Sequence, residues 1–407
     1  MANTLAALER LLEPQERLER VIAAAFRRFG PRLIDLSYAN PCDGPPAAVL
    51  DALKRAAGQL TGLSLQYTPY AGRPATRRAV SSALCREYAM SFRADDVILT
   101  AGAMPALNVA ARALFAPGDE VIVLTPAWQD YPLYLRSLGI RVRFVPVGPN
   151  KRLDLHAIAA AIGPATKGIL FSQPCCPTGV LYRKDEIDGL SAVLRSAEQV
   201  FDTRIYVVSD EVHRHIVWSG RAFYSPVQSH PRTISIYSFG KALSLQGQRI
   251  GYIAVSPLMP ENADVRARMA RCVRLMGYGS PTSLMQRVVC DLLDYVPPLD
   301  ALAERQARVR RALVSFGYDV CDGDATFYVY VKSPMPDDFT CAERLAAAGV
   351  LVVPSTLFHE PGYIRLSLTA RTEAIDAALP AFERVMHAYL AGCDRLRAEL
   401  PQIPVLA

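Results

Sequence analysis

Between residues 97 and 255 the sequence alternates short apolar runs with stretches of helical apolar spacing. Seven of the runs have the length of a strand, over residues 97–99, 120–124, 142–145, 168–171, 206–209, 233–238 and 251–255. Strands that are apolar on both faces and separated by helices are typical of a mostly parallel sheet covered by helices. The alternation therefore predicts an α/β fold, in which ligands bind at the carboxyl ends of the strands.

The pattern changes near Pro297 and Pro298, where the alternation ends. The elements predicted beyond this point are typical of an α+β segment: an Arg-rich helix over 299–315, a hairpin-like segment over 327–332, a helix over 342–348, strands near 350 and 363, and a final helix from 373. Near the start, residues 5–29 show helical spacing and residues 33–38 form a strand-like run. We therefore predict a large domain over 46–297 and a small α+β domain over 298–407, to which an N-terminal arm over 1–45 contributes.

Composition and charge exclude several classes of protein. The net charge of +6 is spread along the 407 residues, without a long Lys/Arg run or basic–aromatic interleaving, so nucleic acid is not indicated. Residues 1–20 lack an apolar signal core, and no uninterrupted apolar stretch is long enough to span a membrane. Nine cysteines without Cys-x-x-Cys spacing predict a reduced, cytoplasmic protein. The mild positive charge suits an anionic cofactor and an acidic metabolite.

Lys241 is the residue on which the functional prediction depends. It follows the apolar run 233–238 and lies among small residues and glycine, in a chain with few lysines. A lysine held at a strand end in surroundings of low dielectric constant has a lowered pKa, and its neutral amine can form a Schiff base. Ser238 and Arg249 supply a hydroxyl and a guanidinium for a dianionic phosphate. A solvated surface lysine, the alternative, does not account for these neighbours.

Three further features fit a flat, phosphorylated cofactor. Asp210 ends an apolar strand, where a carboxylate can pair with a protonated pyridine nitrogen; a helix cap is the alternative. Trp128 follows a strand and can stack on a flat ring, although core packing would also explain it. The turn at Gly102, Ala103 and Met104 opens a helix, so its backbone N–H groups can bind phosphate oxygens. This turn alone is a weak indication of a phosphate site, because many turns between a strand and a helix have a similar sequence.

Together these residues resemble the class I/II aminotransferases of the fold-type I family of pyridoxal 5′-phosphate (PLP) enzymes, over roughly residues 33–370. The most specific part is Ser238-x-x-Lys241 followed by Gly247-x-Arg249-x-Gly251-Tyr252. The resemblance implies PLP as cofactor, bound through Lys241. It also implies a large PLP-binding domain, a small domain built from both chain ends, and a homodimer with active sites at the subunit interface.

The resemblance assigns roles to three more residues. Tyr67 lies in a Tyr-Thr-Pro-Tyr-Ala-Gly segment like the one whose tyrosine reaches the cofactor phosphate of the neighbouring subunit. Arg365 matches the arginine that grips the substrate α-carboxylate, for which the forked guanidinium is suited. The resemblance also implies that Ala39 lies beside the bound substrate.

Two positions depart from the family pattern. Where the family has Asn-Pro-x-Asn-Pro-Thr-Gly, this chain has Gln173-Pro-Cys-Cys176-Pro-Thr-Gly. Where the family has Asp-x-x-Tyr, this chain has Asp210-Glu-Val-His213. The replaced asparagine and tyrosine donate to the phenolic oxygen of PLP. A thiol is a weaker donor, and we expect His213 to titrate near neutrality, as an ordinary histidine does. The Ser-Asp-Glu-Val-His form is similar to PLP-dependent carbon–sulfur β-lyases, whereas residues 240–252 are more similar to aminotransferases.

The sequence therefore predicts an aminotransferase that moves an amino group from an L-amino acid to a keto acid, with Lys241, Asp210 and His213 in catalytic roles. A β- or γ-eliminating lyase or a cyclase of specialised metabolism is the alternative within the family. Ser238-x-x-Lys241 would also fit a serine acylase, but this sequence lacks the Ser-Asp-Asn and Lys-Thr-Gly motifs that such an enzyme requires. A non-catalytic PLP-binding regulator is a further alternative, but we expect no DNA-binding segment before the predicted fold. His213 and His215 alternate beside Asp210, but no third ligand cluster supports a metal site.

Overall fold

The computed structural model describes the backbone of residues 2–399 and the side chains of residues 8–392. Its α-helices are α1 Ala2–Phe29, α2 Ala47–Gly58, α3 Pro74–Tyr88, α4 Ala103–Leu114, α5 Tyr131–Ser137, α6 Leu155–Ala161, α7 Lys184–Val200, α8 Phe239–Ala242, α9 Asn262–Met276, α10 Ser283–Val288, α11 Asp300–Ser315, α12 Asp338–Ala347 and α13 Thr372–Glu399. Its strands are β1 Ile34–Asp35, β2 Val97–Thr100, β3 Glu120–Thr125, β4 Arg141–Pro146, β5 Thr166–Ser172, β6 Tyr206–Asp210, β7 Thr233–Ser238, β8 Gly251–Val255, β9 Tyr328–Lys332, β10 Val350–Leu351, β11 Val353–Pro354 and β12 Tyr363–Ser367.

A seven-stranded sheet forms the centre of the fold, in the order β2-β8-β7-β6-β5-β3-β4. Strands β3 to β7 pair in parallel, and β8 runs antiparallel to both of its neighbours. Nearly every residue of the inner strands is buried, which explains their continuous apolar runs, whereas the edge strand β4 alternates exposed and more buried positions. The α/β fold with a mostly parallel sheet is confirmed.

The sheet brings three chain segments to one end. Asp210 is the last residue of β6, and Ser238 is the last residue of the adjacent parallel strand β7. Gly251, the first residue of the antiparallel β8, pairs with Ser238 on one side and with Thr100, at the end of β2, on the other. Helix α8 leaves β7 there and α4 leaves β2, so both helices begin at the carboxyl end of the sheet.

The C-terminal elements form a smaller sheet of β11, β12 and β9, packed against α11, α12 and α13. The predicted hairpin over 327–332 is wrong: β9 is a single strand whose antiparallel partner is β12, far along the chain. The predicted strand over 33–38 shortens to β1, which pairs in parallel with β10 and so joins the N-terminal segment to the C-terminal elements. The domain boundaries at 45/46 and 297/298 stay a prediction.

Over residues 2–399 no helix is both long and apolar enough to cross a membrane. The cysteines whose side chains are described are all free thiols.

Candidate active site

A cavity of about 470 Å³ opens at the carboxyl end of the large sheet, within the range of roughly 300–1,000 Å³ typical of ligand pockets. Eleven of the residues predicted from the sequence line it: Ala39, Ala103, Met104, Trp128, Cys176, Asp210, His213, Ser238, Lys241, Arg249 and Arg365. The structure thus brings together residues that span most of the chain. Gly102 and Tyr67 do not line the cavity.

Lys241 lies in the short helix α8, three residues after the end of β7. Its Nζ is 5.5 Å from the centroid of the Phe327 ring and has no hydrogen-bond or ion-pair partner among the described side chains. Burial lowers the pKa of the ammonium group; Arg365 and Arg249 lower it further, while Cys176 and Asp210 act in the opposite direction. The amine is therefore more readily deprotonated than an ordinary lysine, as a nucleophile or a base must be.

Asp210 is held in place by two hydrogen bonds. Its Oδ2 accepts from the hydroxyl of Tyr131 at 2.7 Å, and its Oδ1 accepts from the backbone N–H of Val212 at 3.3 Å. The residues after Asp210 form turns, so it does not cap a helix. Burial raises the pKa of its carboxyl group, although the Tyr131 hydroxyl opposes the rise. A protonated nitrogen beside it would stabilise the carboxylate.

The turn before α4 and Arg249 form one corner of the cavity. Gly102 has φ +91°, and a Cβ built on it would lie 2.4 Å from Nη2 of Arg249, so glycine lets the guanidinium lie against this turn. The Nη1 of Arg249 donates to the carbonyl of Gln246 at 2.7 Å. The first N–H groups of α4, at Ala103 and Met104, have no acceptor within the helix. A helix N-terminus beside an arginine and the Ser238 hydroxyl is suited to a phosphate group.

Cys176 and His213 are both buried, and burial disfavours the charged form of each side chain. Burial raises the pKa of the Cys176 thiol to about 11. Burial lowers the pKa of His213 well below its ordinary value, and the charges of Lys241 and Arg365 lower it further. The expectation that His213 titrates near neutrality is therefore wrong. Its ring lies edge-on to Phe327, and neither ring nitrogen has a described hydrogen-bond partner.

Arg365 extends from β12 and lies against the aromatic face of Tyr328, whose ring centroid is 4.1 Å from its Cζ. Its Nη2 donates to the carbonyl of Ser37 at 2.9 Å, close in sequence to Ala39, and its buried Nε has no described partner. Trp128, which also lines the cavity, packs edge-on to Tyr131 with ring centroids 5.5 Å apart.

Tyr67 is fully exposed in the single chain, so within one subunit it contacts neither the cavity nor the core. It belongs to a segment that also exposes Leu63, Leu65 and Tyr70. The guanidinium of Arg274 lies 5.7 Å from the Tyr70 ring, which places this segment next to the end of α9. The exposed residues Leu275 and Tyr278 follow there, so apolar side chains continue across both segments.

Several lining residues were not predicted. Tyr131 belongs to the segment Pro126-x-Trp128-x-x-Tyr131, which resembles the family pattern, but the sequence gave it no role, although a hydroxyl at that spacing can reach a neighbouring strand end. Gln246 lines the cavity with a buried amide nitrogen that lacks a described partner. Among the other lining residues, a group from α1 and the small sheet gave no sequence signal: Gln15, Leu18, Ile22, Tyr328 and Val353.

Several solved structures that superpose on this chain are aminotransferases. An aminotransferase from Eubacterium rectale superposes with a TM-score of 0.87 at 27% identity, covering 91% of this chain and 95% of the other. The aspartate aminotransferase of Thermotoga maritima gives a TM-score of 0.82 at 26% identity, covering 91% and 97%. The fold is that of the fold-type I PLP-dependent transferases.

The sequence comparisons are more specific. The chain is 34% identical to the aspartate/prephenate aminotransferase of Thermus thermophilus over 377 residues, which is 89% of this chain and 94% of the relative. The family model for aminotransferase class I and II matches residues 31–382. The chain belongs to this family, whose members depend on PLP, and it is an aminotransferase.

Proposed function

We propose that this aminotransferase binds PLP in the cavity through Lys241 and transfers an amino group from an L-amino acid to a keto acid. The observation that carries the proposal is the pairing, near adjacent strand ends, of a half-buried lysine without a partner among the described side chains and a buried aspartate fixed by Tyr131. PLP, when bound, supplies an electron sink that stabilises negative charge at the substrate α-carbon.

The polar groups of the cavity fit this cofactor. Asp210 offers a carboxylate to a pyridine nitrogen, and Arg249, Ser238 and the start of α4 offer donors to a phosphate. The ring nitrogens of His213 and the amide nitrogen of Gln246 are buried without described partners, so they can bond polar atoms of a bound group. Trp128 offers an aromatic surface to a flat ring.

Three residues of the chain have separate roles in the proposed reaction. Arg365 binds the α-carboxylate, because its guanidinium is already held by the Ser37 carbonyl and the Tyr328 ring. Lys241 removes the proton from the α-carbon of the amino donor and, in the second half of the reaction, delivers a proton to the α-carbon of the acceptor, for which its lowered pKa is suited. Tyr131 keeps Asp210 ionised by donating to it.

We further propose a homodimer in which Tyr67 reaches the partner's site. The exposed apolar side chains at 63–70 and at the end of α9 support a second copy as the group that covers this surface. The free thiols of the described chain support a reducing compartment, such as the cytoplasm.

Product analysis by mass spectrometry tests the function. The holoenzyme is incubated with a panel of amino acids, with and without a keto acid. Transamination requires the keto acid and yields a new keto acid and a new amino acid in equal amounts. Release of ammonia or of a side-chain fragment without a keto acid would instead support the lyase that Cys176 and His213 suggest, and an unchanged panel would contradict both.

A further inference from the structure

We propose that the amino acid bound in this cavity carries an uncharged, apolar side chain, and that α1 and β11 form the wall against which that side chain packs. The inference rests on the proposed function in one respect, namely that Arg365 binds the α-carboxylate. The position of that arginine then determines which residues lie beside the rest of the substrate.

Val353 is the direct cross-strand partner of Arg365 in the antiparallel pair β11–β12. Directly opposed residues project from the same face of a sheet, with Cβ atoms about 4.5–5.5 Å apart. Both side chains line the cavity. A substrate held by its carboxylate at Arg365 therefore lies within reach of the Val353 side chain.

Helix α1 extends this apolar wall. Leu18 is buried in the same cluster as Val353 and Phe358, and Ile22, one turn further along the helix, packs against that cluster. The Phe358 ring is 4.8 Å from Cζ of Arg365, so the cluster reaches the carboxylate-binding side chain. Leu18, Ile22 and Val353 all line the cavity, and burying an apolar side chain against them is favourable.

The charges that line the cavity argue against an acidic substrate. Among the described residues only three of the lining side chains are lysine or arginine, and each already has a role. Lys241 acts at the α-carbon, Arg249 at the phosphate and Arg365 at the α-carboxylate. Within one subunit no fourth cation lines the described cavity for a second substrate carboxylate, and a buried charge without a partner is strongly unfavourable. The polar groups on the α1 side are two amides, Gln15 and Gln129, which hydrogen bond to each other at 3.1 Å.

The first test compares substrates on the wild-type holoenzyme. The value of kcat/KM is measured for leucine, methionine, phenylalanine, aspartate, glutamate and arginine with one keto acid. Binding of 4-methylpentanoate and of maleate is measured by calorimetry, without turnover. We expect the apolar amino acids to exceed the charged ones by at least about tenfold, the discrimination that a pocket of fitting polarity commonly supplies. We also expect the monocarboxylate to bind more tightly than maleate.

Equal or better turnover of aspartate, glutamate or arginine, or tighter binding of maleate, would overturn the inference. No turnover of any amino acid would contradict the proposed function, and the calorimetry would then still decide between an apolar and an acidic ligand.

A charge-introducing variant tests the position of the wall. The variants are made in a Glu19→Gln background, because the Gln15 amide donates to Glu19 at 3.0 Å and that carboxylate would pair with a new cation. Gln15→Arg then places a cation on the α1 side of the cavity at a half-buried position, so the core cluster stays intact. We expect the ratio of kcat/KM for glutamate to that for leucine to rise at least about tenfold, as an ion pair replaces an unpaired charge. Leu12→Arg, on the same helix but exposed and outside the cavity, is the control and should leave the ratio unchanged. An unchanged ratio in Gln15→Arg would place the substrate side chain elsewhere.

Discussion

Tyr131→Phe isolates one hydrogen bond in the proposed active site. The hydroxyl of Tyr131 donates to Oδ2 of Asp210 at 2.7 Å, and both side chains are buried. A hydrogen bond to a charged group contributes about 1.5–3 kcal/mol, and each 1.4 kcal/mol corresponds to about a tenfold change in rate. The phenyl ring keeps the packing against Trp128. We therefore expect kcat/KM to fall about 10- to 100-fold while the protein stays folded.

The pH dependence distinguishes this effect from a packing defect. Burial raises the pKa of Asp210 and the Tyr131 hydroxyl opposes that rise, so removing the hydroxyl raises the pKa further. Activity requires the carboxylate, and it should therefore be lost at a higher pH as the solution is acidified. The control is Tyr134→Phe, which removes a hydroxyl from a ring that also packs edge-on to Trp128 but does not contact Asp210. If both variants shift the acidic limb equally, the reasoning about Asp210 is refuted.

Three further predictions test the cofactor site. Borohydride reduction of the holoenzyme followed by peptide mapping should place the pyridoxyl group on Lys241, and a label on another lysine would contradict the assignment. Mixed dimers of Tyr67→Phe and Lys241→Ala subunits should regain one wild-type site per dimer if Tyr67 acts across the interface; activity no higher than that of Tyr67→Phe alone would argue against sharing. The double variant Cys176→Asn/His213→Tyr restores two donors toward the phenolic oxygen of PLP, so the visible absorbance of the lysine-bound cofactor should titrate at a lower pH than in the wild type. An unchanged midpoint and product ratio would mean that the two replacements are neutral.

The central sheet was predictable because burial on both faces leaves a local signature. Strands β7 and β8 have the bounds that the apolar runs indicated, and the others differ by a residue or two. The errors fall where pairing is between distant segments. The segment 327–332 was predicted to be hairpin-like, yet its partner is the distant strand β12. No local pattern specifies such a partner, since strand pairing between distant segments depends on the packing of the whole small sheet.

The candidate site was predictable to the extent that it lies at strand ends. Asp210, Ser238 and Lys241 follow apolar runs of a parallel sheet, and the carboxyl ends of such strands meet at one edge. Leu18 and Ile22 could not be found in this way. Their spacing on α1 is that of an ordinary core-facing stripe, and only the tertiary structure shows that the stripe also borders the cavity.

The charge of the site also depends on burial that the sequence does not display. An exposed histidine at position 213 would add a positive charge in mildly acidic solution, but burial beside Lys241 and Arg365 keeps the ring neutral by lowering its pKa. The Cys176 thiol is neutral as well, since burial raises its pKa to about 11. Among the described residues of one subunit, the fixed positive charges that line the cavity are therefore those of Arg249 and Arg365. Arg249 is suited to a phosphate and Arg365 to a single carboxylate. The substrate side chain therefore lies against an apolar wall that carries no charge.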